Sequence, residues 1–438
     1  MQTPSHHHRP ALRAGLLGFG TVGAGTHGVL ASNRATIRAR AGCAIDLTMV
    51  ATRTASRARA AADDGIEVLD DPMQLVRHPG LDVVIEAMGG TTDARDCVLE
   101  AIAHGKHVVT ANKALLATHG EEIFAAADAQ GVTVGFEAAV AVSIPIVKAL
   151  REGLVANEIE WLAGIVNGTS NYVLTQMGAA GRSYADALAE AQALGYAEAD
   201  PSLDVGGGDA AHKLALLAAM AFGGPPRLGE VHVEGIDALQ AVDFLHAARL
   251  GYAVKLLAVA RRCGGELQLR VHPALVPRAS LLAQVDGRMN GIMVKGNAAG
   301  VTMYYGAGAG ARETASAVVA DLVDLARALR GGGRMCVPAL GFHEGAAASP
   351  VMAARGGVRS RNYLRLGLDG PDAGARALDA LARHGVPAAK GVQSHNTLVV
   401  LTQEVPESSM GLAMRELGAM AGVQPGLTRL RVEALDQG

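Results

Sequence analysis

Along residues 11–150, short apolar runs alternate with helical patterns. The strand-like runs fall at 13–17, 46–52, 83–87, 107–110 and 132–136, and each ends on glycine, polar residues or a helix pattern. That alternation predicts βαβ units and a parallel sheet. From 151 to 305 the pattern changes. Strand-like runs at 158–166, 255–260, 267–272 and 292–295 mix with helices at 184–194 and 210–222, which predicts a mixed α+β domain. A Gly/Ala loop at 306–310 leads into a helix over 314–329, and the stretch from Gly331 to Gly357 reads as a linker by its Gly, Ala and Pro content. The tail runs strand, helix, strand, strand, helix, strand over 363–368, 375–384, 388–392, 397–402, 409–421 and 428–432. A βαββαβ order predicts a ferredoxin-like unit. The expected division is 11–150, completed by about 306–345, then 151–305, a linker at 346–359 and a last unit at 360–435.

Composition narrows the function classes. Half of the 438 residues are hydrophobic and 18% are charged, which fits folded domains throughout. A formal net charge of -3 offers no basic field for nucleic acid, and 3% aromatic residues offer few platforms for stacking bases. The longest apolar stretches, such as 214–222, are far shorter than the ~20 residues of a membrane span. Cys43, Cys97, Cys263 and Cys336 stand far apart, which suits neither a zinc site nor a disulfide framework and fits a reducing, cytoplasmic setting. His6-His7-His8 reads as part of a frayed terminus.

The chemistry starts at Gly18-Phe19-Gly20-Thr21-Val22-Gly23, between a strand and a helix. Gly18 permits the tight turn, Gly20 admits a pyrophosphate to the backbone, and Gly23 lets helix pack on strand. The helix N-terminus then supplies N–H donors. In the first βα turn of a βαβ series, this predicts a Rossmann-type doubly wound sheet that binds a nicotinamide dinucleotide. The second strand ends at Thr52-Arg53, with no acid there to bind a ribose 2′-hydroxyl. Arg53 favours NADP over NAD, while Arg57 and Arg59 read equally as a solvated helix face.

A dehydrogenase needs a proton partner beside the nicotinamide. Lys113 follows an apolar strand, where ligands of such sheets bind, and reads equally as a surface group. Asp209 and Lys213 share one face of an otherwise largely apolar helix. A lysine there is costly unless it is paired or lines a polar cleft, and desolvation lowers its pKa toward proton transfer. An ordinary i,i+4 salt bridge is the plainer reading. Glu198, Asp200 and Asp204 precede that helix, with a turn and an N-cap accounting equally for the two aspartates.

These motifs, in order and spacing, resemble homoserine dehydrogenase over nearly the whole chain. The most specific are Asn167-Gly168-Thr169-Ser170-Asn171-Tyr172 and Leu194-Gly195-Tyr196-Ala197-Glu198-Ala199-Asp200-Pro201. The resemblance implies NAD(P)-dependent interconversion of L-homoserine and L-aspartate 4-semialdehyde, on the route to threonine, methionine and isoleucine. It implies Lys213 as proton donor in semialdehyde reduction, Lys113 between cofactor and substrate, and Glu198 and Asp209 on homoserine. Phe19, Thr21, Val22, Arg53, Gly195 and Gly310 match cofactor contacts. Glu137, Val140, Val142 and Ile144 match the carbonyls that hold a sodium ion. A central catalytic and dimerisation domain is implied, with a homodimer or homotetramer as the assembly. The tail resembles an ACT domain, which implies an amino-acid effector such as threonine.

Three departures stand out. Ala141-Val142-Ser143-Ile144-Pro145 replaces a stretch that usually carries glycines. Gly206 and Gly208 stand where larger residues are usual, which predicts a looser loop. The expected ligand turn of the tail reads Asp369-Gly370-Pro371-Asp372-Ala373-Gly374, without the usual Pro-Gly pair, so threonine inhibition stays open. Two other readings compete. One is another small amino-acid dehydrogenase of the same fold; a thioester-forming aldehyde dehydrogenase would need a reactive cysteine, which no motif here suggests. The other is an NADP-binding sensor without turnover, against which both lysines and both acids argue.

Overall fold

The computed structural model describes residues 11–435 except 55, 58–61, 63–64, 332–336, 344, 346–348 and 395. His6–His8, Arg59, Cys336 and part of the linker read at 346–359 lie outside the described residues. The chain forms two compact units. The first comprises residues up to Glu158, Ala215–Gly229 and Gly306–Ser349; the second comprises Ile159–Leu214, Glu230–Tyr305 and the residues from Pro350 on.

The first unit is built on six parallel strands: β1 (Leu12–Leu17), β2 (Ile45–Ala51), β3 (Glu67–Leu69), β4 (Val83–Glu86), β5 (His107–Thr110) and β6 (Val134–Gly135). They stand in the order β3-β2-β1-β4-β5-β6. This is the doubly wound order, in which the direction of winding reverses between β1 and β4. The apolar runs of β1 and β4 are buried almost throughout, as parallel strands covered on both faces must be. The helices Thr21–Ser32 and Ala311–Arg330 pack together on this sheet. Gly25 makes that approach possible, because a Cβ there would come 2.6 Å from the Ala311 carbonyl oxygen. β3 is only three residues long, and no hydrophobic alternation announces it.

The second unit is one mixed sheet. Its strands are β7 (Ile159–Ile165), β8 (His232–Val233), β9 (Tyr252–Cys263), β10 (Glu266–Pro277), β11 (Met289–Gly296), β12 (Gly300–Ala307), β13 (Arg359–Gly367), β14 (Ala388–Ser394), β15 (Thr397–Thr402), β16 (Val405–Pro406) and β17 (Thr428–Val432). The main path runs β12-β11-β7-β9-β10-β17-β13-β15-β14. β9 and β10 pair over twelve residues, longer than their apolar cores suggest, because polar residues extend both arms of the hairpin. The tail has the predicted βαββαβ order, with helices Pro371–Arg383 and Glu407–Ala419 covering a core of Leu364, Leu366, Leu398 and Val400. Its last strand, β17, lies parallel to β10 at Ala274↔Arg431 and Leu275↔Val432, so the tail continues the central sheet.

Buried ion pairs surround that seam. Arg365 donates to Asp243 through Nε at 2.6 Å and Nη2 at 3.2 Å, and the Tyr363 hydroxyl donates to the same carboxylate. Arg270 donates to Glu433 at 2.9 Å, and Arg431 donates to Glu234 at 2.8 Å. Burial alone would raise the Glu433 carboxyl, but the His272 hydrogen bond and the Arg270 charge override it and hold the pKa at about 2. A depressed carboxylate pKa stabilises the fold above the ordinary value of 4.5, and that stability drains as pH falls toward 2. Glu433→Gln is therefore expected to cost about 3 kcal/mol at pH 7, because it leaves Arg270 buried without its counter-charge. Denaturant titration should show the deficit at pH 7 and a smaller one at pH 3.

Candidate functional site

The glycine turn follows β1 at the point of sheet reversal. Gly18 has φ +90°, and a Cβ there would lie 2.7 Å from the Ala87 carbonyl oxygen. A Cβ on Gly23 would collide with the Gly18 carbonyl, so this helix can pack on the turn only with glycine at that place. The helix Thr21–Ser32 begins at Gly20 with no side-chain cap and no acid in its first turn. Its first N–H groups are thus unblocked toward an anion, and the residues fit a pyrophosphate. Arg53 is exposed just past β2. Arg57 reaches the turn itself: its guanidinium nitrogen lies 3.3 Å from the place of a Cβ on Gly20. Sequence reasoning left Arg57 as a solvated residue, and its i,i+4 spacing from Arg53 was the available signal. Gly310, at φ +147°, caps the helix Ala311–Arg330.

Lys113 opens the helix Lys113–Gln130, just beyond β5. A polar network fixes the ends of β4 and β5 beneath it. Buried Glu86 accepts the Thr110 hydroxyl at 2.6 Å and the Met88 and Gly89 N–H groups. Asn112 caps the helix by accepting from Leu115 N–H, and its amide donates to the Gly90 carbonyl at 2.7 Å. Glu86 and Asn112 escaped sequence reasoning because a strand-end acid and a cap have no signature beyond residue type.

In the second unit, helix Gly208–Phe222 brings Asp209 and Lys213 to one face, both more than nine-tenths buried. Lys213 Nζ donates to the Val166 carbonyl at 2.7 Å and to Asp209 Oδ2 at 2.8 Å. Asn167 ties the cluster together, with its Nδ2 donating to Asp204 Oδ1 at 2.7 Å and to Asp209 Oδ2 at 2.9 Å. Its Oδ1 accepts Ser170 N–H and so caps the helix Gly168–Ala180. One amide thus orients two carboxylates, and the only ammonium in the cluster rests on one of them. Gly195 turns the chain at φ +72° after the helix Tyr184–Ala193. Glu198 is exposed, with its backbone carbonyl held by Gln192 and its carboxylate outside the cluster. The structure therefore joins Lys213 and Asp209 with Asn167 and Asp204, and leaves Glu198 on the loop outside. Gly208 sits under Leu203, whose methyl group lies 2.8 Å from the place of a Cβ.

The segment matched to sodium forms a turn in the first unit. Among the described residues, Val142 is the one non-glycine with positive φ, at 55°. A left-handed β-branched residue is strained by roughly 1–2 kcal/mol. Ser143 anchors the turn by donating to the Ala307 carbonyl at 2.9 Å. The Glu137 carboxylate already accepts the Val147 and Lys148 N–H groups, so Glu137 has its carbonyl rather than its side chain to offer. Burial, with Glu137 close by, pushes Asp321 up to about 7 while it accepts the Glu137 N–H. No cluster of three His, Cys, Asp or Glu exists among the described residues. A hard cation here would have to rest on backbone oxygens, which suits sodium-like chemistry, although the Ile144 carbonyl already accepts Ile146 N–H. The tail's turn at 369–374 is also engaged: Asp369 accepts from Gln424, and its N–H donates to the Gly422 carbonyl.

Two family models match the chain: "Homoserine dehydrogenase, NAD binding domain" at residues 18–137 and "Homoserine dehydrogenase" at residues 145–323. The homoserine dehydrogenase of Pseudomonas aeruginosa is 46% identical over 97% of this chain and 99% of its own length. The crystal structure of a homoserine dehydrogenase from Thiobacillus denitrificans superposes with a TM-score of 0.93 at 47% identity, covering 98% of this chain and 99% of that one. A hyperthermophilic archaeal homoserine dehydrogenase in complex with NADPH matches at TM-score 0.61 and 25% identity, over 72% of this chain and 97% of that one. No helix among the described residues is long and apolar enough to cross a membrane.

Relief of the strained turn is directly measurable. Val142→Gly should raise unfolding stability by about 1 kcal/mol, the left-handed penalty less the extra chain entropy of glycine. A thermal melt in which this variant unfolds at or below the parental temperature would show that the turn carries no strain.

Proposed function

This chain belongs to the homoserine dehydrogenase family, and on that premise we propose how its residues share the NAD(P)-dependent interconversion of L-homoserine and L-aspartate 4-semialdehyde. It is an NAD(P)-dependent oxidoreductase. The dinucleotide rests on Gly18, Phe19, Gly20, Thr21, Val22 and Gly23, with Lys113, Gly195 and Gly310 as further contacts. When bound, its nicotinamide ring accepts a hydride from the carbon that bears the substrate hydroxyl. Lys213 exchanges the hydroxyl proton, giving it to the aldehyde oxygen in reduction and taking it in oxidation. The observation that carries this reading is the Lys213 amine, buried and aimed by the Val166 carbonyl and Asp209. Asp209 and Glu198 hold the substrate ammonium, and Lys113 assists by charge. Asn167 is a positioning residue, since it fixes the two carboxylates rather than meeting the substrate.

NADP is the preferred cofactor in this proposal. Arg53 past β2 and Arg57 beside Gly20 supply cations where a 2′-phosphate and a pyrophosphate need them, and neither has an ion-pair partner among the described residues. The relative solved with NADPH is consistent with it. The carbonyls of Glu137, Val140, Val142 and Ile144 would hold a sodium ion with a structural role, and no chemical step passes through it. The tail acts as an ACT-like module with an amino-acid effector such as threonine, supported by its βαββαβ order. A homodimer or homotetramer in the cytoplasm completes the proposal. Exposed Val301 and Tyr305 on the end strand β12 support self-association, and the unpaired Cys43, Cys97 and Cys263 support a reducing compartment.

Homoserine oxidation, assayed with NADP and with NAD, with and without threonine, tests the whole reading. Lys213→Ala should lower kcat about a thousandfold, in the range of a lost general acid–base, with a much smaller change in KM. An unchanged rate would remove Lys213 from the chemistry. Arg53→Ala should raise the KM for NADP about tenfold, through loss of one charge-assisted contact, and leave NAD unaffected.

A further inference from the structure

The largest cavity lies away from the Lys213 cluster, where the tail meets the central sheet in the second unit. Its volume is about 730 Å³, well within the range of small-molecule sites. One wall is β10 from Leu267 to Arg270. The facing wall is the helix Glu407–Ala419, which presents Ser408, Gly411, Leu412 and Arg415 at the spacing of a single helix face. Residues 352–358 close the third side. The cavity sits near the Arg359 end of β13, opposite the 369–374 turn that follows Gly367.

Charge accounting defines what fits. Arg431 and Glu407 both line the cavity and are already engaged. Arg431 donates to Glu234 and twice to Glu407, while Glu407 also accepts from Arg429 and Ser360. Arg270 differs. It is 6% exposed and donates Nη2 to Glu433, yet its Nε and Nη1 have no hydrogen-bond partner. Unpaired guanidinium donors are costly in such a place unless something accepts from them. At the mouth, Arg415 folds back to within 3.8 Å of the place of a Cβ on Gly411 and makes no ion pair among the described residues. The remaining walls include Leu267, Leu269, Val358 and Leu412, and Leu412 is 47% exposed. The surplus is positive, and it is set among apolar side chains.

We propose that this cavity is a binding site for a small amphipathic carboxylic acid, whose carboxylate pairs with Arg270 and Arg415 while its apolar chain lies against Leu267, Leu269 and Leu412. The occupant touches the central sheet and the tail at once, so it reports on the seam that β17 makes with β10. The site is independent of the substrate cluster and of the effector reading at 369–374.

The test uses the full chain and hexanoate as the probe, followed by calorimetry and ligand-observed NMR, with hexan-1-ol and inorganic phosphate as controls. Saturable one-to-one binding of hexanoate is expected, with neither control binding at the same concentration. Leu412→Glu changes an exposed side chain, keeps the fold, and should weaken hexanoate at least tenfold by setting a carboxylate at the mouth. Arg270→Gln, checked by thermal melt, should do the same. Lys213→Ala should bind hexanoate as the parent does. The proposal is overturned if hexanoate does not bind, if hexanol or phosphate binds equally well, or if Leu412→Glu binds undiminished. It is equally overturned if Lys213→Ala abolishes binding, since the probe would then occupy the substrate cluster.

Discussion

A buried ammonium must be answered by acceptors, and in this chain the answer organises the whole polar cluster of the second unit. Lys213 is held by one carbonyl and one carboxylate. That carboxylate is oriented by Asn167, and Asn167 also caps the next helix and steadies Asp204. Ion pairs of this kind recover their desolvation cost only when the remaining lone pairs are satisfied. The bridge from Asn167 meets that condition. It also ties a strand end, a helix start and a loop to one point, so the loop before helix Gly208–Phe222 cannot drift without breaking a buried hydrogen bond.

Periodicity made most of the architecture legible. The parallel strands of the first unit and the βαββαβ tail both lie within a few residues of their apolar runs, because each buries a continuous or alternating apolar face. The helix Gly168–Ala180 left no such trace. Its first turn is buried but polar: Thr169, Ser170 and Asn171 are all inside, and Asn171 donates to the Val285 and Met289 carbonyls. A helix whose buried face is made of hydrogen-bonding residues inverts the pattern that a hydrophobic reading seeks. β12 was hidden for a related reason, since its residues are half-buried or exposed on both faces.

The site divided in the same way. Lys213 and Asp209 were readable because charge on an apolar helix demands a partner. Asn167 and Glu86 act through geometry that only folding assembles, with partners 42 and 24 residues away. Arg57 needed the turn itself in place before its reach toward Gly20 could be seen. Val142 carried a signal of another sort. A valine where glycines are usual says that some cost is being borne, but only the dihedral angle locates it in the backbone.

The position of β17 has a consequence for how the protein is made. It is the last strand in the chain, yet it stands in the middle of the sheet, between β10 and β13. Until residues 428–432 have left the ribosome, the central strands and the tail are two separate sheets, each with an open edge. Those edges are the aggregation-prone surfaces of a nascent chain. The final step of synthesis is therefore also the step that joins the halves, and a chaperone that shields β10 and β13 would be needed for nearly the whole of translation after those strands emerge.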